Sequence, residues 1–193
     1  EPATTIATPL LVGGYQDDYF KNIDGALFFW APVDGATTPN AKYPRSELRE
    51  THADGKLRNW KYQAADNYLR ATLKVTQVPS SGKVIIGQIH NVEGDDPPIK
   101  LQYEYSTSTK TGSLVAIYRL KPGIDTTSTT VMGNIALNAG DRALACASNQ
   151  AAAQAFSSAR RVGPLLGRSE YFENHAVENV AICAAGRKPR QVA

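Results

Sequence analysis

The chain has 193 residues, which is ample for a sizeable hydrophobic core, and all-β chains of this length are commonly undivided. Lys and Arg number 21 against 18 Asp and Glu, and the resulting net charge of +3 is too weak to indicate a nucleic-acid partner, since no basic stripe interleaved with aromatic residues accompanies it. No apolar run approaches the roughly 18 residues that a membrane-spanning helix needs, so we expect neither nucleic acid nor membrane as a partner.

The start of the chain and its cysteines support broader expectations. The first residue is Glu1, with no initiator Met and no signal peptide, which fits a mature, processed form. Cys146 and Cys183 either form a disulfide in an oxidising compartment or remain buried free thiols, and two cysteines do not decide between these states. We expect a single domain over residues 1–193, and a secreted or periplasmic monomer.

Short apolar runs separated by Gly and Pro turns follow one another along the chain, and most of them predict strands. Residues 1–25 are turn-rich and predict at most a short helical turn. Residues 68–75 alternate apolar with polar side chains, which is the period of a half-buried strand. Asp54-Gly55 predicts a tight hairpin turn that returns through Trp60 and Tyr62. Further strands are predicted at 26–31, 43–50, 84–90, 100–104, 114–120 and 131–137, which together indicate an all-β sandwich or jelly roll.

Residues 43–50 concentrate charge in an unusual pattern. In a strand, Arg45, Glu47 and Arg49 share one face while Ser46 and Leu48 share the other. The carboxylate of Glu47 is placed to hold both guanidinium groups, and two fixed guanidinium forks suit a carboxylate or phosphate ligand. The alternative is a solvated ladder of surface ion pairs.

The strand predicted at 84–90 ends in two polar residues on one face, Gln88 and His90. Burying polar groups without partners is costly, so this pair needs partners or a ligand. His90 alone also fits a hydrogen-bonded core histidine. Taken together with the Arg-Glu-Arg face, a ligand cleft shared by both segments explains the two patterns better.

The pair of motifs Arg-Ser-Glu-Leu-Arg at 45–49 and Gln-Ile-His at 88–90 resembles polysaccharide lyase family 7, the alginate lyases. The segments Phe-Trp-Ala-Pro-Val-Asp-Gly-Ala-Thr-Thr-Pro at 29–39 and Lys-Leu-Gln-Tyr-Glu-Tyr at 100–105 are also similar to that family, and the resemblance covers roughly residues 10–140. It implies a β-jelly-roll sandwich of two antiparallel sheets with a concave substrate cleft. The implied partner is an acidic polysaccharide, alginate.

The chemistry that this resemblance implies is β-elimination at a uronic acid. Removing the C5 proton places a second negative charge beside an ionised carboxylate, so the enzyme must neutralise that carboxylate. The resemblance assigns this task to Arg45 and Gln88, and proton abstraction to His90. A Tyr normally protonates the leaving O4, and Tyr171 is the nearest candidate for that role.

The same resemblance assigns substrate binding to three further residues. Arg49 binds a neighbouring sugar carboxylate, Glu47 orients the arginines, and Lys100 contacts a secondary subsite. Gln-Ile-His leans towards guluronate-containing blocks within the family, whereas Gln-Val-His leans towards polymannuronate. We expect no cofactor and no metal, because the three histidines show no ligand spacing and no acidic cluster resembles a calcium loop.

The resemblance weakens from about residue 141. Residues 141–193 contain 13 alanines and no threonine, whereas residues 1–140 contain 15 threonines, and residues 143–159 predict a helix by propensity. The family motif Tyr-Phe-Lys-Ala-Gly-x-Tyr-x-Gln is matched here only by Tyr171-Phe172, with Glu173 in place of the Lys and Val177 in place of the catalytic Tyr. Either the C-terminal third is divergent, with Tyr171 or His175 as the substitute, or this part of the sequence is read in a shifted frame. We favour the second explanation, which the intact mass of the purified protein tests.

Other functions remain open beside alginate cleavage. A glucuronan lyase shares the fold, and a non-catalytic jelly roll binds uronates through the same arginine face. A glycoside hydrolase needs two carboxylates about 5 to 10 Å apart, for which Glu47 and Glu104 form the only pair that we nominate. The product separates the classes, since a lyase makes an unsaturated sugar, a hydrolase a saturated one and a binding module none.

Overall fold

The computed structural model describes residues 4–39, 41–59, 61, 67–92, 97–120, 123–138 and 142–148. Within these ranges the chain forms one short helix and eight strands. In chain order they are α1 (Thr8–Val12), β1 (Phe20–Ile23), β2 (Ala26–Phe29), β3 (Asn67–Leu73), β4 (Lys83–Ile89), β5 (Ile99–Ser106), β6 (Thr111–Tyr118), β7 (Thr127–Ile135) and β8 (Arg142–Ser148). Within the described ranges, no helix is long and apolar enough to cross a membrane.

The strands form three antiparallel sheets. The largest has four strands in the order β4-β5-β6-β7, so that each strand pairs with its neighbour in sequence. Two smaller sheets pair β1 with β2 and β3 with β8. Ala71, Leu73 and Val75, in and just after β3, pack against the core face of the four-stranded sheet. The packing of two antiparallel sheets over one core is the arrangement of a β-sandwich.

The hydrophobic core lies on one face of the four-stranded sheet. In β5, Ile99, Leu101 and Tyr103 are buried there, and the alternating residues Lys100, Gln102 and Glu104 point to the opposite face. The remaining buried members of this cluster are Val84, Ile86, Ile89, Leu114 and Ala116. We call the opposite face, which carries Gln88, Lys100, Gln102 and Glu104, the site face.

A β-bulge in β4 decides which face Gln88 occupies. Val84 pairs with Tyr103 and Ile85 with Gln102, but Gly87 pairs with Leu101, so Ile86 is an extra residue in the ladder. Strict alternation would place Gln88 on the same face as buried Val84 and Ile86. Because of the bulge, Ile89 returns to the core and Gln88 pairs with Lys100 on the site face. The apolar run can therefore end in polar residues without burying them in the core.

Two of the predicted elements are wrong. Residues 43–50 do not form a strand, and within this segment only Glu47 has bridge-type backbone pairing. Pro44 lacks the N–H that a ladder requires, which agrees with the irregular backbone. The helix predicted at 143–159 is also contradicted over residues 143–148, because β8 pairs with all seven residues of β3, from Leu73–Arg142 to Asn67–Ser148, and residues 149–159 lie outside the described residues. Tertiary pairing overrides the helical propensity of the alanines here.

The hairpin predicted at Asp54-Gly55 is confirmed. Thr51 forms an antiparallel bridge with Leu57, and the Arg58 N–H donates to the Glu50 carbonyl oxygen at 3.0 Å. Gly55 has a φ of 82°, which Gly adopts without strain. Trp60 and Tyr62, through which the hairpin was expected to return, lie outside the described residues.

Candidate active site

The structure brings the two predicted polar motifs together. Gln88 Nε2 donates a hydrogen bond to Glu47 Oε2 at 3.3 Å, across 41 residues of sequence. Segment 45–49 therefore lies beside β4, next to the row in which Gln88 pairs with Lys100. Sequence spacing alone places the members of each motif relative to one another, whereas only the fold places the motifs side by side.

Glu47 is the centre of this cluster. Its Oε1 lies 3.3 Å from Arg49 Nη1, and its Oε2 lies 3.2 Å from Arg45 Nε as well as 3.3 Å from Gln88 Nε2. The Glu47 side chain is only 8% exposed, whereas those of Arg45 and Arg49 are 39% and 22% exposed. One shielded carboxylate thus joins three side chains, and the arginines around it remain open to solvent.

Each arginine has a second hydrogen-bond partner that was not predicted from the sequence. Arg45 Nη2 donates to Thr38 Oγ1 at 3.0 Å, and Arg49 Nη2 donates to Asn59 Oδ1 at 2.8 Å. Thr38 belongs to the Thr-Pro segment of the family resemblance, which was its only signal in the sequence. For Asn59, the hairpin at Asp54-Gly55 was the available clue, because it returns the chain to Arg49.

His90 directly follows β4 and is partly buried. Its Nε2 is buried and has no hydrogen-bond partner among the described residues. Burial lowers the pKa of His90 from 6.5 to about 4, with further lowering by the positive charges of Arg49, Lys100 and Arg45, in that order. The imidazole is therefore neutral at neutral pH and can accept a proton.

The carboxylate on the site face, that of Glu104, also contacts a polar and a positively charged neighbour. Glu104 Oε1 accepts a hydrogen bond from Gln102 Nε2 at 2.6 Å and lies 3.4 Å from Lys83 Nζ. Glu104 pairs with Lys83 across the sheet, whereas Gln88 pairs with Lys100. Glu104 lies four positions after Lys100 in β5, which corresponds to about 13 Å along the strand.

Several predicted residues are not part of this geometry. Tyr171, His175 and Cys183 lie outside the described residues, as does the side chain of Cys146. His52 is exposed in the hairpin at 51–57. Within the described ranges, no group of three or more His, Cys, Asp or Glu side chains is placed to hold a metal ion.

The tyrosines of the four-stranded sheet do not reach this site. Tyr103 lies in the core, with its hydroxyl donating to the main-chain oxygen of Ile135 at 2.9 Å, and Tyr105 and Tyr118 pack against the same core cluster. In the described part of this sheet, none of the site-face positions is a Tyr. The proton donor that the resemblance assigns to a Tyr is therefore not among these residues.

The sequence and the fold of this chain were compared with those of known proteins. A family model described as alginate lyase matches residues 1–157. A comparison with curated proteins found no match. Eight chains of solved structures match, and one of them is the alginate lyase PA1167 from Pseudomonas aeruginosa, with a TM-score of 0.69 and 39% identity. That match covers 76% of this chain and 67% of the Pseudomonas chain.

A second similar structure is the alginate lyase A1-II', described as a member of polysaccharide lyase family 7. Its TM-score is 0.63 at 28% identity, with 76% of this chain and 64% of that chain covered. A Tyr-to-Phe variant of it in complex with a product, GGG, gives a TM-score of 0.64 at 28% identity, with 76% and 65% covered. This chain thus spans about two thirds of the length of these proteins, and their similarity confirms the jelly-roll fold.

Proposed function

The chain belongs to the alginate lyases of polysaccharide lyase family 7, and from this premise we propose that it cleaves the 1,4 bond of guluronate-containing alginate by β-elimination. The products are unsaturated oligosaccharides. The observation that supports this proposal most directly is the cluster of Arg45, Gln88 and Arg49 around Glu47, with a neutral His90 at the end of the same strand.

Arg45 and Gln88 bind and neutralise the carboxylate of the sugar whose C5 proton is removed. Arg45 Nε is committed to Glu47 and Nη2 to Thr38, and its side chain remains 39% exposed, so N–H groups are left to bind a carboxylate. Gln88 Nε2 has a second N–H beyond the one that it donates to Glu47. One charged and one neutral donor suit the enolate-like charge that develops during elimination.

His90 abstracts the C5 proton. A base must be unprotonated before it can act, and burial together with three nearby cations keeps this imidazole neutral at neutral pH. Its unpartnered Nε2 is not tied to another side chain among the described residues. Either ring nitrogen can serve as the acceptor, because which of them carries the proton is set by the hydrogen bonds of the complex.

Arg49 and Lys100 bind the carboxylates of neighbouring units. Arg49 is held by Glu47 and Asn59, which fixes its guanidinium, and Lys100 pairs with Gln88 across the sheet. The resemblance assigns the protonation of the leaving O4 to a Tyr at the position that Val177 occupies here, and we propose Tyr171 as its nearest substitute. We also propose that the protein acts as a secreted or periplasmic monomer, where a large acidic polymer is accessible.

Guluronate is proposed as the preferred unit from Gln-Ile-His at 88–90. The complexes of A1-II' variants contain a product written GGG and a substrate written GGMG, in which we read G as guluronate. These ligands belong to that protein, and the G units that both contain support a guluronate-containing substrate for this chain.

A glycoside hydrolase is disfavoured by the placement of the carboxylates. Glu47 interacts with Arg45, Arg49 and Gln88, so both of its carboxylate oxygens face side chains of the site rather than a glycosidic bond. Glu47 contacts Gln88, whereas Glu104 lies about 13 Å along β5 from the row in which Gln88 pairs with Lys100, so the two carboxylates belong to different parts of the sheet. A uronate-binding module without catalysis is favoured by one observation, the lack of a site-face Tyr in the described sheet.

The test is ultraviolet absorbance of the unsaturated product during incubation with polyguluronate, polymannuronate, mixed alginate and glucuronan. His90→Ala should abolish the increase in absorbance, and Gln88→Ala should slow it by about 100- to 1,000-fold, because it loses one donor to the developing charge. His52→Ala is the matched control, because His52 is exposed in the hairpin and lies outside the cluster. Absorbance on glucuronan alone would assign a glucuronan lyase, and binding of alginate without absorbance on any polymer would assign a binding module.

A further inference from the structure

Within the substrate-binding set, Glu47 was expected to orient the two arginines, and its surroundings indicate a further task. Both of its carboxylate oxygens face side chains of the site, and the side chain is 8% exposed. A substrate carboxylate has little room to approach it and would be repelled by its charge. The groups that Glu47 contacts are the ones that bind the substrate, so its effect on the reaction passes through them.

An ionised carboxylate accepts hydrogen bonds and donates none. The amide of Gln88 has one end that donates and one that accepts, and the two ends are nearly equal in size. Only the NH2 end can face Glu47 favourably, and Gln88 Nε2 does so at 3.3 Å. The same carboxylate therefore determines which end of the amide lies beside Arg45 in the cleft.

We propose that Glu47 is a positioning residue that fixes the amide orientation of Gln88, so that an N–H of Gln88 and the guanidinium of Arg45 point to the same substrate carboxylate. Arg45 Nε and Gln88 Nε2 both contact Glu47 Oε2, at 3.2 Å and 3.3 Å, so the two donors are held side by side. This inference rests on the proposed function, because it assigns Glu47 a role in the binding of the reacting sugar.

Removing the charge of Glu47 removes this preference for one amide orientation. In Glu47→Gln, the new amide offers both a donor and an acceptor, so the Gln88 amide can turn over by 180°. Its carbonyl oxygen then faces the substrate carboxylate, and the contact becomes repulsive. Because the carboxylate gains charge in the transition state, the loss falls mainly on kcat rather than on KM.

The experiment is a double-mutant cycle with Glu47→Gln, Gln88→Ala and the double variant, in which kcat and KM are measured on polyguluronate. Misplacement of a positioned group costs on the order of 100-fold in rate, so we expect Glu47→Gln to lower kcat by about 100-fold with a much smaller change in KM. In the Gln88→Ala background, the same substitution should cost at least about tenfold less. Equal losses in both backgrounds would overturn the proposal, since Glu47 would then act without Gln88.

Glu50→Gln is the control for the general cost of removing a shielded carboxylate. The Glu50 side chain is 7% exposed and lies 2.9 Å from Arg58 Nη1, so it is a carboxylate of the same segment with a similar environment. Its substitution should change the thermal midpoint without the selective loss of kcat. Glu47→Asp is the second variant if Glu47→Gln does not fold, because it keeps the charge and shortens the reach, and its coupling to Gln88→Ala is measured in the same way.

Binding separates this inference from the proposed function. The dissociation constant of an oligoguluronate is measured by calorimetry for the wild type and for each variant of the cycle. If the wild type forms no unsaturated product but binds the oligoguluronate, elimination is refuted, and coupling between Glu47 and Gln88 in the dissociation constants still supports the positioning role. Additive changes in those constants would overturn it, and so would a wild type that neither binds nor cleaves.

Discussion

The ionisation of His90 offers a quantitative test of the site. Its pKa is lowered from 6.5 to about 4 by burial and by the charges of Arg49, Lys100 and Arg45. At about pH 5, a histidine with a pKa of about 4 is about nine-tenths neutral, whereas one with a pKa of 6.5 is only about 3% neutral. If His90 is the base, the fraction of free enzyme that is ready to accept the proton at that pH is thus about 30-fold larger than for an unperturbed histidine, and kcat/KM should stay on its plateau down to about pH 4.

The titration can be observed directly by nuclear magnetic resonance of the free protein. The chain has three histidines, so the imidazole signals are few, and the spectrum of His90→Ala identifies the one that is missing. We expect the His90 signal to remain that of the neutral ring from pH 7 down to about pH 5 and to titrate near pH 4. The same pH range is then followed in kcat/KM on polyguluronate, which reports the pKa values of the free enzyme.

His52 serves as the internal comparison, because it is exposed in the hairpin. A His90 signal that titrates between pH 6 and pH 7 would refute the argument, because the burial and the three cations would then have no net effect on its pKa. A profile of kcat/KM that falls tenfold per pH unit below about 6.5 would refute it in the same way.

Three further predictions follow from other contacts. Gly112→Ala should lower the free energy of unfolding, measured by urea denaturation, by about 1–3 kcal/mol, because the new Cβ would overlap the ring of buried Tyr103. Gly133→Ala is the control and should be neutral or stabilising, because the nearest atom to its new Cβ is 3.9 Å away. Lys100→Met removes one of the cations that lower the pKa of His90, so this pKa should rise and kcat/KM should begin to fall at a higher pH on acidification. An unchanged pH profile would show that the charge of Lys100 does not affect the pKa of His90. His90 binds a proton more readily in the unfolded chain than in the folded one, so the wild type should lose stability relative to His90→Ala as the pH falls from 6.5 to about 4. Urea denaturation at several pH values measures this difference, and parallel curves of stability against pH for the two proteins would contradict the prediction.

The strands of the four-stranded sheet were largely predictable from the sequence. Alternation of apolar and polar residues identifies the two faces of β5, because each side chain points to the face opposite to that of its neighbour. The observed ends of the strands differ from the predicted ends by a few residues; β6, for example, begins at Thr111 and not at Leu114 as predicted. The hairpin at Asp54-Gly55 was also predictable, since the turn chemistry is local.

The bulge in β4 was not predictable from the alternation of residues. Val84, Ile86, Gln88 and His90 have the same parity, so the simple pattern places the polar pair on the apolar face. The register shift between Ile85 and Gly87 resolves this conflict, because it inserts one residue and reverses the faces beyond it. Gly87 was the only local clue, since a Gly within a strand often marks a bulge.

The wrong prediction for residues 143–148, which are the described part of the helix predicted at 143–159, has a different cause. Alanine has the highest intrinsic helix propensity, and a local window rich in alanine predicts a helix whatever its neighbours in space are. The partner of residues 142–148 is β3, about 70 residues earlier in the chain, and no local pattern contains that pairing. For the same reason, the contacts of Arg45 with Thr38 and of Gln88 with Glu47 depend on the fold rather than on the motifs.

On the proposed function, the cations that bind the substrate are also the ones that lower the pKa of His90, the proposed base. Arg45, Arg49 and Lys100 attract uronate carboxylates, and all three also lower the pKa of His90. In the free protein this keeps the imidazole neutral but makes it a weak base, because a pKa near 4 is well below neutral pH. When a carboxylate of the polymer lies against the arginines, its negative charge offsets theirs and removes that part of the lowering, whereas the lowering by burial, which is the larger cause, remains. Binding of the polyanion therefore restores part of the basicity of His90, and it does so only in the complex in which the proton is removed.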